Sequence, residues 1–185
     1  GWFTVRYGVG ETLFKLDDNM QVEPWLAKNY DMIDNKTWKI ELKDNISFQN
    51  GKKLTPLSVK SSIERTLELN ARAEETLKID NIKVEDNSII ITTIEENPTL
   101  INDLCDPFVA IIDVEEENID TNPIGTGPFK ISNFNPSGSS YFEKNESYWD
   151  EEVKLSSIKV IPIADADTLA MALQSGEIDV AQGLS

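Results

Sequence analysis

The segment that most restricts how this chain can fold is residues 123–129, which read PIGTGPF. Gly125 and Gly127 have no Cβ atom, so the backbone can turn tightly there and approach other segments closely. Pro123 and Pro128 restrict φ on either side of the two glycines. We therefore expect a tight loop that packs against another part of the backbone and leads into a strand.

Hydrophobic periodicity and turn residues predict the elements around this loop. Residues 37–42 alternate apolar and polar side chains, which is the period of a half-buried strand. Residues 30–33 are predicted to pair with 37–42 in a hairpin, and two further hairpins are predicted from 81–85 with 88–93 and from 129–134 with 141–144. Other strands are predicted over 11–16, 155–163 and 178–181, and helices over 98–104 and 165–174. We also expect a turn or short helical piece over 24–28 and an acidic solvated loop over 113–120.

The clearest helix begins after Thr55. This residue can cap the helix, and Pro56 suits the first helical position. We expect one broad apolar face, on a helix that continues to about residue 69, to be shared by Leu57, Val59, Ile63 and Leu67.

Composition excludes several classes of function. The formal net charge is −16, and the clustered Lys and Arg that nucleic acids or anionic membranes require are absent. There is no histidine, which excludes histidine-dependent nucleophilic catalysis and removes the commonest metal ligand. Cys105 is the only cysteine, so we expect a structural thiol and no internal disulfide. The chain is therefore predicted to be no enzyme, with no catalytic residue, no cofactor and no metal ligand of its own.

Several segments together resemble one protein family. They are residues 11–16 (ETLFKL), 24–30 (PWLAKNY), 36–52 (KTWKIELKDNISFQNGK), 123–129 (PIGTGPF) with Tyr148 and Trp149 after it, and 175–179 (SGEID). Their order and spacing resemble the signature segments of the extracytoplasmic solute-binding proteins of ABC transporters, family 5, which bind oligopeptides, dipeptides and nickel.

The resemblance implies a fold, a location and partners. The fold would be α/β (mixed α+β), a periplasmic-binding-protein-like lobe of a type II, cluster C solute-binding protein, with a mixed sheet, hairpins and flanking helices. Residues 1–185 would form the first lobe, with the N-terminal signal and the second lobe absent. The protein would be a monomer outside the cell membrane, periplasmic or lipid-anchored, that delivers its solute to permease subunits.

The resemblance also implies candidate ligand-binding residues. In the family the loop equivalent to residues 1–8 borders the cleft between the lobes, so Trp2 and Tyr7 are expected to enclose a ligand and Arg6 to meet a ligand carboxylate. Arg72 follows the clearest helix, in a region that reaches the cleft in nickel-binding relatives. Asp106 and Phe108 belong to a loop that lies near the cleft in the family.

The sequence leaves two classes of solute, a short peptide or a nickel complex. Nickel-binding relatives carry further Arg and Trp near Arg72, where this chain has Ala73, Glu74 and Thr76. The nickel-binding protein also has an arginine near its Pro-Phe pair, where this chain reads CDPF over residues 105–108. We therefore expect a short peptide as the solute, with nickel or a metal chelate as the alternative. The same fold also serves as the ligand-sensing domain of some regulators, and a basic helix-turn-helix upstream of Gly1 would favour that reading.

Overall fold

The structure, a computed structural model, describes residues 2–182, with the side chain of Trp2 outside the described part. The elements in chain order are α1 (Trp2–Arg6), β1 (Phe14–Leu16), β2 (Val22–Pro24), β3 (Ala27–Asp34), β4 (Thr37–Leu42), α2 (Pro56–Leu69), α3 (Ala71–Leu77), β5 (Ile79–Glu85), β6 (Ser88–Thr93), α4 (Leu100–Asp103), a 3₁₀ helix (Pro107–Val109), β7 (Phe129–Asn133), β8 (Ser140–Lys144), β9 (Ser157–Val160) and α5 (Ala166–Ser175). The strands form three sheets, in the orders β1–β2, β3–β4–β6–β5 and β7–β8–β9.

The expected fold class, a mixture of helices and strands, is confirmed, but the expectation of a mixed sheet is wrong. Every strand pair in the described part of the chain is antiparallel. The reason is that β3–β4, β5–β6 and β7–β8 are consecutive strands joined by short turns, and such a connection reverses the chain direction. The three hairpins themselves were correctly predicted.

The four-stranded sheet carries the larger hydrophobic core. Along β4 the side chains alternate between half-buried and buried positions, as predicted, and Ile40 and Leu42 are fully buried. Ile40 pairs with Ile89 of β6, so the two central strands present one continuous apolar face. Helix α2 packs against β5 and β6 and covers this face with Val59 and Ile63.

Helix α2 begins as predicted, with a capping box at Thr55. The Ser58 backbone N–H donates to Thr55 Oγ1 (3.1 Å), and the Thr55 N–H donates to Ser58 Oγ (2.9 Å). Val59 and Ile63 are buried, but Leu57 is 62% exposed, so its predicted place on the same face is wrong. Leu57 precedes Val59 by two residues, which turns its side chain about 200° around the helix axis.

Three other segments differ from the predictions. Residues 2–6 form a helix, whose Phe3 ring packs against Phe134 and Phe142. In residues 24–28, Trp25 and Leu26 form a bend, as the turn alternative predicted, but the residues on either side belong to strands β2 and β3. The N–H groups on either side of Leu26 both donate to the Leu13 carbonyl. Residues 178–181 form no strand, since the chain after α5 turns back and the Ile178 N–H donates to a carbonyl inside that helix.

The acidic segment 113–120 is only partly solvated. Asp113 is 3% exposed and accepts from the Lys52 ammonium at 2.8 Å and from the Asn50 amide at 2.9 Å. These contacts hold the pKa of the Asp113 carboxyl below its ordinary value despite burial. The prediction of a solvated loop is therefore correct for the exposed glutamates and wrong for Asp113.

Candidate functional site

Two glycines of the segment 123–129 lie directly on the backbone that follows α1. A Cβ atom on Gly125 would lie 2.1 Å from the Val9 carbonyl oxygen, and one on Gly127 would lie 2.2 Å from the Gly8 oxygen. The Gly127 N–H donates to the Val9 oxygen at 3.0 Å, and the Phe129 N–H donates to the Gly8 oxygen at 2.9 Å. The predicted close approach of this loop to another part of the backbone is thus confirmed.

Gln49 forms hydrogen bonds to both the loop 123–129 and the segment that follows α1. Its buried Nε2 lies within hydrogen-bond distance of the carbonyl oxygens of Val9 (3.1 Å), Gly127 (3.0 Å) and Phe129. Its backbone N–H donates to the Gly125 oxygen at 2.9 Å. One side chain therefore connects residues that lie far apart in sequence, and the carbonyl groups of the tight loop are satisfied without water.

The buried carboxylate of Glu11 is the polar centre of this region. Its side chain is fully buried and accepts hydrogen bonds from the Thr126 hydroxyl (2.7 Å), from Trp149 Nε1 (2.8 Å) and from the Tyr148 hydroxyl. Burial raises the pKa of the Glu11 carboxyl above its ordinary value of 4.5, although the three hydrogen bonds act in the opposite direction. Burial and the neighbouring carboxylate also raise the pKa of Tyr148, which keeps its proton available for donation.

We call Glu11, Thr126, Tyr148 and Trp149 the carboxylate knot. The knot joins two of the segments that carry the family resemblance, residues 11–16 and residues 123–129 with Tyr148 and Trp149. Sequence reasoning missed Glu11 itself. The available signal was a single acidic residue within the otherwise uncharged run GVGETLF, since a charge in such a run is buried only with partners.

The knot fixes the position of the first predicted ligand-binding segment. The Ile111 N–H donates to the backbone oxygen of Glu11 at 2.8 Å, which links the chain after α1 to the chain after the 3₁₀ helix. Helix α1 and the 3₁₀ helix then pack against each other. Residues 2–7 and 106–108, which are distant in sequence, therefore lie at the same edge of the molecule.

Three of the six predicted ligand-binding residues meet at this edge. Arg72 Nη2 lies 3.3 Å from Asp106 Oδ2, and the Arg72 guanidinium carbon lies 5.6 Å from the centre of the Phe108 ring. The other Asp106 oxygen accepts from the Phe108 N–H at 3.1 Å and so begins the 3₁₀ helix. We call Arg72, Asp106 and Phe108 the arginine corner.

The remaining candidates are placed differently. Arg6 ends α1 and is exposed. Tyr7 is half-buried, and its ring packs against Phe3 (5.1 Å between centroids) and Phe142 (5.2 Å). It thereby contacts the smaller core, a second hydrophobic cluster built on Val9, Phe129 and Phe142. The side chain of Trp2 lies outside the described residues. The structure thus brings together the arginine corner, places Arg6 on the neighbouring helix, and gives Tyr7 a packing role.

Two surface depressions, of about 260 and 300 Å³, have acidic rims and are lined by none of the six candidates. Within residues 2–182, no group of three or more His, Cys, Asp or Glu side chains is arranged so that it could hold a metal ion. None of the helices in the described part of the chain has the length and apolar character that a membrane span requires.

Cys105 is half-buried, and burial raises the pKa of its thiol to about 11, in agreement with the predicted structural role.

Comparison with solved structures defines the class of protein. The chain superposes on the nickel ABC transporter protein of Bacillus halodurans with a TM-score of 0.92 and 39% sequence identity, covering 95% of this chain and 37% of that one. NikA from Staphylococcus aureus, in complex with Ni(L-His)2, gives a TM-score of 0.92 and 34% identity, covering 96% and 38%. The fold is that of the type II periplasmic binding proteins.

Sequence comparison defines the family. The nickel-binding protein NikA of Staphylococcus aureus is 34% identical over 177 residues, which are 95% of this chain and 36% of NikA. The glutathione-binding protein GsiB of Shigella flexneri is 29% identical over 180 residues, covering 91% and 35%. This chain therefore spans little more than a third of the length of these relatives. Residues 21–185 match the bacterial extracellular solute-binding proteins, family 5 Middle, and the chain belongs to this family.

Proposed function

We propose that this chain is the first-lobe part of the solute-binding component of an ABC importer, and that the solute is a nickel complex with a small amino-acid chelator. The observation that carries the proposal is the likeness to the nickel transporter protein of Bacillus halodurans, at 39% identity and a TM-score of 0.92. The NikA structure with Ni(L-His)2 supports the form of the solute. The complete protein would work as a monomer outside the cell membrane, close around its solute, and deliver it to permease subunits.

The arginine corner is the proposed contact for the chelator. An amino-acid chelator coordinates the metal through its own nitrogen and oxygen atoms, and carboxylate oxygens of the complex face outward. The protein therefore needs hydrogen-bond donors that bind a carboxylate. The Arg72 side chain is 66% exposed, and Asp106 engages only one of its five N–H donors closely. Arg6 on the adjacent helix is a second candidate donor, and Trp2 is a candidate for enclosing the solute.

The composition of the chain supports a solute that brings its own metal ligands. Imidazole is the commonest protein ligand for nickel-like metals, and the chain contains no histidine. Within this lobe, recognition would therefore rest on the outer surface of the chelate. Tyr7 would act behind the contact surface, by holding α1 against the smaller core.

A short peptide is the second candidate solute. It is favoured by the 29% identity to the glutathione-binding protein GsiB, since glutathione is itself a peptide. A peptide carboxylate would use the same Arg72 donors.

The test uses the complete protein that contains this chain, purified without denaturation. Native mass spectrometry and isothermal titration with Ni(II) in excess L-histidine should detect a complex of nickel with histidine. Arg72→Ala should weaken binding at least tenfold, because a charged hydrogen bond contributes about 1.5–3 kcal/mol. Arg65→Ala is the matched control, since Arg65 pairs with Asp120 away from the corner. Binding of peptides without binding of nickel–histidine would refute the nickel proposal.

A further inference from the structure

We infer that Asp106 selects the net charge of the solute. Asp106 offsets the positive charge of Arg72. The corner can therefore bind a carboxylate that belongs to a solute without net charge, and it disfavours chelates that carry several uncompensated negative charges. The inference rests on the proposed function, because it takes the arginine corner as a contact for the solute. It adds a selectivity rule that the similarity to nickel-binding proteins does not supply.

The Asp106 carboxylate is fixed in place through both oxygens. One accepts from the Phe108 N–H at 3.1 Å, and the other faces Arg72 Nη2 at 3.3 Å. The Asp106 side chain is only 22% exposed, whereas that of Arg72 is 66% exposed. A bound solute can therefore shift the arginine, but the negative charge of Asp106 stays with the backbone of the 3₁₀ helix.

The Arg72 guanidinium has N–H donors that Asp106 does not use. Its plane is supported by the Phe108 ring at 5.6 Å, and the N–H groups not used by Asp106 can form a bidentate pair with a carboxylate. Such a carboxylate lies on the far side of one guanidinium group from Asp106, so the two negative charges repel each other at short range. A single solute carboxylate is attracted by Arg72 more than it is repelled by Asp106. Each further uncompensated negative charge on the solute is only repelled.

The neighbouring charges act in the same direction as Asp106. Helix α3, which carries Arg72, also carries Glu74 and Glu75, and Asp103 precedes the corner at the end of α4. The whole chain has a formal net charge of −16. A neutral complex, such as nickel with two histidine anions, therefore approaches without a penalty, and a dianionic complex such as nickel–EDTA approaches against the field.

The test compares two probes on the complete protein by isothermal titration: Ni(II) with excess L-histidine, and preformed nickel–EDTA. We expect the wild type to prefer the neutral probe. In Asp106→Asn the ratio of the two dissociation constants should shift toward nickel–EDTA by about tenfold, which corresponds to about 1.4 kcal/mol. Asparagine still accepts from the Phe108 N–H, so the cap is preserved, and thermal melting of both proteins checks this.

Asp120→Asn is the matched control. It also removes one negative charge from an Arg–Asp pair, but that pair involves Arg65 on α2. A ratio that changes equally in both variants would mean a general charge effect and would overturn the inference, as would a ratio unchanged in Asp106→Asn. If the wild type binds neither probe while it binds peptides, the proposed nickel function fails instead.

Discussion

Removing the Glu11 carboxylate should destabilise the fold more than most single substitutions in this chain. In Glu11→Ala, the fully buried Thr126 hydroxyl and the half-buried Trp149 Nε1–H lose their acceptor. An unsatisfied buried donor costs about 1–3 kcal/mol, and two such donors give about 2–6 kcal/mol. We expect a loss of about 4 kcal/mol in the free energy of unfolding, measured by urea denaturation followed by tryptophan fluorescence.

Glu11→Gln separates hydrogen bonding from charge. The glutamine oxygen can still accept from Trp149 and Thr126, and its NH₂ group can donate to the Tyr148 oxygen, which is able to accept as well as donate. We expect a loss below about 1 kcal/mol at neutral pH. Equal destabilisation by Ala and Gln would refute the reasoning, because it would mean that the charge and not the acceptors stabilises the knot.

The pH dependence of stability gives a second check on the same residue. The folded pKa of Glu11 is raised above its ordinary value of 4.5, so the folded state binds more protons than the unfolded state once the pH exceeds that value. The contribution of Glu11 is therefore fully present below pH 4.5 and is lost as the pH rises through the folded pKa. Relative to Glu11→Gln, the wild type should lose stability on going from acid to neutral pH. Parallel curves for the two proteins would contradict a raised pKa.

Two further predictions concern packing. Gly125→Ala places a Cβ atom 2.1 Å from the Val9 carbonyl oxygen, so we expect a fold that melts far lower or does not form, whereas Gly138→Ala meets only a movable side-chain amide. Thermal melting of the pair checks this, and equal melting temperatures would contradict the close approach. Ile40→Ala should cost about 2–5 kcal/mol, because the side chain is fully buried. The exposed Ile94→Ala should change the unfolding free energy by less than about 0.5 kcal/mol, and similar losses in both would argue against the described core.

Local signals in the sequence predicted most of the elements. The alternation over 37–42 and the cap at Thr55 each depend on a few adjacent residues, and both predictions were correct. The two glycines of the 123–129 loop also predicted a close backbone approach, because glycine is needed there for lack of space. What these signals could not give is the identity of the approached segment, which lies more than a hundred residues earlier in the chain.

The errors have the same physical origin. Residues 2–6 are helical because they pack against distant aromatic side chains. Strands rather than a helix flank the bend at Trp25 and Leu26, because the Leu13 carbonyl accepts hydrogen bonds from this segment. Of the candidate site, the sequence indicated Arg72, Asp106 and Phe108 separately. Their meeting in one corner follows from how α3 and the 3₁₀ helix are held, and no spacing in the sequence reveals it.

The carboxylate knot also sets an order for folding. The partners of Glu11 follow it by 115, 137 and 138 residues, whereas the hairpins of the four-stranded sheet close within residues 27–93. Because local contacts form before distant ones, the sheet and α2 can assemble while Glu11 is still hydrated. Glu11 can leave water without a large cost only once Thr126, Tyr148 and Trp149 have joined the fold, so a chain that stops before Trp149 holds a carboxylate it cannot bury without penalty.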